Sequence, residues 1–185
     1  MSGDRVSSSV ITHCELFAGK NADEAQVLYL GTERAGVPEE GAMRGKLVSQ
    51  DGGKVYVVIF ETGDEAVSGL CAFAREHKLA DAHITAIGAF ERVTVAYFDW
   101  QSKTYEHIPI AQQVEVLSLI GDIALKDGEP ALHAHVVVSK RDGSAHGGHL
   151  IEGHARPTLE VVIQESPVHL RREHDPESGL ALIKV

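Results

Sequence analysis

Residues 133–154, HAHVVVSKRDGSAHGGHLIEGH, constrain the fold of this chain more than any other stretch. His133 and His135 stand two apart in an apolar, β-branched run with Ala134, Val136, Val137 and Val138. Side chains on a strand repeat every second residue, so both imidazoles leave the same face. Arg141-Asp142-Gly143-Ser144 supplies the residue types that reverse a chain, and the return leg brings Gly147-Gly148-His149 back beside the outgoing pair. The stretch therefore predicts a β-hairpin on which three imidazoles converge. Three histidines with a fourth position left open are the ligand set found where zinc does chemistry.

Eleven histidines in 185 residues make one His-x-His pair unsurprising by chance, so the pair alone carries little. Its weight comes from the strand context, the turn and the Gly-Gly-His return, because paired glycines clear side chains where a backbone or ligand approaches closely. His146 and His154 occupy the same stretch, and each is either a substitute for His149 or a solvated side chain.

At 185 residues and 43% hydrophobic, the chain can bury one sizeable core. A net charge of −10 with scattered Lys and Arg opposes unaided binding to nucleic acid or an anionic membrane, since phosphate contacts need clustered cations. Cys14 and Cys71 form no C-x-x-C pair, the first residues lack the basic-then-apolar order of a signal peptide, and no apolar run reaches the ~18 residues of a membrane span. These features lead us to expect a cytoplasmic protein with reduced, packed thiols.

Residues 1–45 read as an N-terminal extension with a short possible strand at Gln26 to Leu30, and a compact domain is expected over 46–185. Val55 to Phe60 is a β-branched and aromatic strand. Asp64 is the expected N-cap of a helix reaching about His77, with Val67, Leu70, Cys71 and Ala74 as its apolar stripe. Strands follow at His83–Ile87, running through Gly88 and Phe90 to Asp99, then at Gln112–Ile120, Thr158–Ile163 and Leu180–Ile183, with a turn at Asp127 to Pro130. Roughly seven strands and one clear helix indicate an α+β domain, a mostly antiparallel or mixed sheet carrying one main helix.

Four stretches carry a family resemblance: AHITAIGAFERVTVAYFD (82–99), EVLSLIGDIALKDGEPALHAHVVVS (115–139), DGSAHGGHL (142–150) and RPTLEVVI (156–163), with the tail Asp175…Gly179-Leu180. Together they resemble the plants and prokaryotes conserved (PPC) domain, which bacteria and archaea carry alone and plants carry beside AT-hooks. Asp122 departs from the Asn expected in a G-N-I-A stretch. The resemblance implies a central sheet flanked by helix, assembly as a homotrimer, and a zinc site on His133, His135 and His149. The fold is also similar to acetolactate decarboxylase, whose other catalytic residues find no matching positions here.

Two functional classes follow. In one, the protein is a non-enzymatic trimeric module that inherits a DNA-binding label from plant relatives. The AT-hook core Arg-Gly-Arg-Pro is missing, and Arg171-Arg172 beside Glu173 read as a solvated face, so direct DNA binding is not expected. In the other, a metal-dependent enzyme acts on a small carboxylate or carbonyl compound, because three neutral histidines leave zinc's charge to attract an anion. Glu115, a carboxylate in an apolar strand, is the catalytic candidate, and Glu160 presents the same ambiguity between proton carrier and outward-facing residue. A small-molecule sensor would use the same pocket. Ile84, Ile87, Val116, Leu117 and Leu119 are expected at a subunit contact or in the core beneath it.

Overall fold

The computed structural model describes residues 28–29, 43–49, 53–167 and 170–184. Among these, ten strands form one sheet and one helix packs on it. The strands are β1 (Leu28–Tyr29), β2 (Arg44–Ser49), β3 (Val55–Phe60), β4 (Asp81–Asp99), β5 (Thr104–Ile110), β6 (Val114–Lys126), β7 (Glu129–Ser139), β8 (Ala145–Glu165), β9 (Arg171–His174) and β10 (Ala181–Lys184). Helix α1 covers Ala66–Glu76. Every strand pairing is antiparallel except β6 with β9, which makes the sheet mixed.

Two long strands organise the sheet. The first half of β4 pairs with β6 and with the second half of β8, and its second half pairs with β5 and with the first half of β8. Because β6 pairs with β7 and β7 with β8, the circuit β8-β4-β6-β7-β8 closes on itself. Closure pairs His135–Ser139 of β7 on both sides, where a hairpin exposed on its own would leave an edge to blunt. β4 stays continuous by bending at Gly88, where φ is +145° and a Cβ would strike the Thr158 carbonyl oxygen.

Alternation sorts the two faces. Leu119, Val136 and Val161 point inward with Ile84, Phe90, Phe60 and Ile163, and α1 closes that core with Val67, Leu70, Phe73 and Ala74. Fully burying Leu70 or Phe73 stabilises the fold by about 1.5–3 kcal/mol each. All four residues of the expected helical stripe are buried, and the helix ends at Glu76 with His77 as its C-cap, close to the expected end.

The N-cap is Glu65 instead of Asp64. Glu65 accepts from the Val67 and Ser68 amides at 2.9 and 2.6 Å, and also from Gly153 N at 3.1 Å, fastening the helix start to β8. Asp64 is already engaged in the preceding turn, accepting from Glu61 N at 2.8 Å. Cys71 lies in the buried stripe, packed as expected; Cys14 falls outside the described residues. No helix among the described residues is long and apolar enough to cross a membrane.

Candidate metal centre

The hairpin forms as its residues dictate. Gly143 takes φ +81°, Asp142 accepts from Ser144 N at 2.9 Å and from its hydroxyl at 2.6 Å, and Lys140 N donates to Ser144 O at 3.0 Å. The turn sets the register, in which His135 lies opposite His149, Val136 opposite Gly148 and Val137 opposite Gly147. Both glycines are needed for close approach: a Cβ on Gly147 would sit 2.7 Å from the Val136 carbonyl oxygen, and one on Gly148 2.6 Å from that of Ala96. The second contact lets β8 lie against β4 while it still holds His149 beside β7.

The three imidazoles meet. Ring centroids are 5.2 Å apart for His133–His135 and His133–His149, and 5.5 Å for His135–His149. One nitrogen from each ring lies within 4.8 Å of the other two. A point central to such a triangle is at most about 2.8 Å from each nitrogen, so swings of under ~1 Å reach the Zn–N distance of about 2.0–2.1 Å.

The electrostatics suit a cation. Burial, then His133, His135 and Arg172, pushes His149 down to about 4. Burial and the neighbouring His133 also lower His135. Rings that resist protonation keep lone pairs available for a metal. His149 Nδ1 is buried with no hydrogen-bond partner among the described residues, an expense unless something outside the chain binds it. The donor set and this orphaned nitrogen fit a metal.

Around the imidazoles stands a shell that composition did not reveal. Tyr105 of β5 stacks on His149, centroids 4.7 Å apart, and burial raises its hydroxyl pKa while Arg172 opposes the rise. Asp122 of β6, in register with His133, places Oδ2 3.7 Å from His133 Nδ1 and binds the Arg172 guanidinium. Burial alone would raise Asp122, but the neighbouring His133 and the hydrogen bond from Arg172 outweigh that and hold it below the usual carboxylate range. A cleft of about 80 Å³ runs past His133, His149, Tyr105 and Arg172, with Leu150 and Leu182 among its apolar walls.

The profile of the Plants and Prokaryotes Conserved domain (abbreviated PCC, also PPC) matches residues 48–167. The chain belongs to this family. A PPC protein from Pyrococcus horikoshii is 34% identical, with TM-score 0.68 over 72% of this chain and 92% of that one. A metal-containing protein from Archaeoglobus fulgidus is 31% identical, with TM-score 0.68 over 76% of this chain and 99% of that one. A protein provisionally called DNA-binding from Bacteroides thetaiotaomicron is 26% identical, with TM-score 0.71 over 76% and 96%. A bifunctional GlmU protein from Synechococcus sp. (strain JA-3-3Ab) is 29% identical over 129 residues, which are 68% of this chain but only 20% of GlmU.

Not every candidate joins the PCC domain's histidine cluster. His146 stands opposite Val138, and His154 is engaged with Glu152 at 2.5 Å and Arg92 at 3.0 Å; neither belongs to the three-histidine group. Glu115 is exposed and faces Ser139, five residues along β6 from the Ile120 that faces His135. That is a span of roughly 17 Å at about 3.4 Å per strand residue. Glu160 is exposed as well. Sequence reasoning missed Tyr105, whose strand carried no strong apolar pattern, and misjudged Arg172, whose side chain is only 8% exposed.

Proposed function

We propose that this PCC-domain protein is a homotrimeric zinc protein that holds the metal on His133, His135 and His149 and presents its open position to a small anionic ligand. The carrying observation is the convergence of three imidazole nitrogens within 4.8 Å on one hairpin. Bound there, zinc supplies a Lewis acid for a carboxylate, enolate or hydroxide oxygen. The chain supplies the rest: Arg172 adds a second positive group to the cleft, Tyr105 a hydroxyl, and the apolar walls exclude water. This shell favours a small carboxylate or carbonyl compound, bound for chemistry or for sensing. The name given to the Archaeoglobus relative, which contains metal, agrees with the reading. Zinc near one per chain in protein purified without a histidine tag supports it, and metal-free protein that takes up no added zinc refutes it.

The trimer rests on the outer sheet face. Val162, Thr85, Ile120 and His135 lie in register across β8, β4, β6 and β7, all exposed, and Leu117, Val137 and Ile87 extend the apolar patch along that face. Of the five residues expected at a contact or beneath it, Ile87 and Leu117 are 60% and 54% exposed, whereas Ile84, Val116 and Leu119 are core. An apolar face of this kind usually meets a partner, and His135 would stand at its margin. Light scattering coupled to size exclusion should give roughly 60 kDa for 19.9 kDa chains, and Leu117→Asp should shift the mass toward one chain. A concentration-independent monomer in the wild type refutes the assembly.

Direct binding to duplex DNA is not part of this reading, although the Bacteroides relative carries that label. With net charge −10, affinity at physiological salt should be weaker than about 1 µM in a fluorescence titration. Sub-micromolar binding with a steep salt slope would restore a nucleic-acid role.

A further inference from the structure

The family match ends at residue 167, yet β9 and β10 fold back onto β6 and line the cleft with Leu180, Ala181 and Leu182. Arg172 fastens this hairpin. Its Nη1 donates to the Ala181 carbonyl oxygen at 3.1 Å within the hairpin, and its Nη2 donates to Asp122 of β6. A guanidinium shielded to this degree is stable only when paired, so the Asp122 carboxylate fixes where the hairpin sits. The other carboxylate oxygen of Asp122 faces His133 Nδ1 at 3.7 Å, within ion-pair range. An imidazole whose Nδ1 faces a carboxylate carries its proton there and keeps Nε2 unprotonated.

We propose that Asp122 is a positioning residue for the metal centre, fixing His133 in the Nδ1–H tautomer with Nε2 left for the metal, and that Arg172 makes the C-terminal hairpin part of the same device. The inference rests on the metal reading above but concerns an orientation the metal-free chain already holds. Asp122 needs no contact with a substrate to act. Its carboxylate orients the His133 ring, and its bond to Arg172 couples the cleft wall to that ring. The asparagine expected here from the resemblance would accept a hydrogen bond but bring no charge, so Asp122 distinguishes this chain at its own site.

Asp122→Asn is nearly isosteric and still accepts from Arg172, so the fold should survive. Zinc affinity, read by competition with a chromophoric chelator, should fall about tenfold to a hundredfold, the cost of altering the outer partner of a ligand. Nitrogen-15 spectra of the metal-free protein at mildly alkaline pH should show His133 protonated at Nδ1 in the wild type and mixed between tautomers in the variant. A role confined to stability would lower the unfolding midpoint without moving either readout. Unchanged affinity and an unchanged tautomer in Asp122→Asn overturn the proposal. If the wild type takes up no zinc, the metal reading fails, and the tautomer of the metal-free protein still decides this inference. For the hairpin, Arg172→Met should speed amide exchange across β10; protection equal to the wild type overturns that part.

Discussion

Replacing His135 by alanine should remove most bound metal while leaving the fold intact. His135 is exposed on the outer face of β7 and its neighbours Ala134 and Val136 carry the packing, so the variant loses no core contact. Surface substitutions of this kind usually change stability by under about 0.5 kcal/mol. The metal-free unfolding midpoint should therefore match the wild type within a few degrees. The effect on the metal is large because a two-histidine remnant must fill two positions with water. We expect a loss on the order of a hundredfold or more, beyond the cost of removing an outer partner. His149→Ala should do the same and His146→Ala should not, since His146 lies outside the group. Full zinc occupancy in His135→Ala would sink the ligand assignment.

The hairpin was legible because its determinants are local. A two-residue period, a turn rich in Asp, Gly and Ser, and a glycine pair specify a register without reference to the rest of the chain. Arg172 shows the opposite case. Its neighbours in sequence are Arg171 and Glu173, which suggest solvent, but its partner Asp122 lies 50 residues away on β6. No periodicity carries such information; only the return of the chain past residue 170 creates it. Glu115 was ambiguous for a third reason. Its apolar neighbours Val114 and Val116 point inward, while Leu117 and Ile120 on its own side are exposed, so both faces of β6 are apolar. A strand with two apolar faces lacks the contrast that tells inside from outside. The continuity of β8, expected as separate pieces, was likewise hidden, since pairing with β3, β4 and β7 in turn holds it extended past its glycines.

Substituting Gly148 by alanine should damage the protein more than a single methyl suggests. The added Cβ would stand 2.6 Å from the Ala96 carbonyl oxygen and 3.4 Å from the Ala96 carbonyl carbon and nitrogen. All three are backbone atoms, so no side chain can rotate away; the strands themselves must part. The pairing at risk joins Val95 to Leu150 and Ala96 to His149, the seam by which β4 and β8 close the circuit of strands. Leu150 and Val95 are both buried, and separating the strands there opens the core. A loss of about 2–4 kcal/mol is expected from strain and lost packing together. His149 rides on the next residue of the same strand, so its imidazole moves away from His135 and zinc affinity should fall with stability. His135→Ala separates the two, losing metal at constant stability, whereas Gly148→Ala should lose both. Chemical unfolding of the metal-free proteins and chelator competition, run in parallel, read the two quantities. A Gly148→Ala protein of wild-type stability would show that β4 and β8 do not meet at the distance on which the metal centre depends.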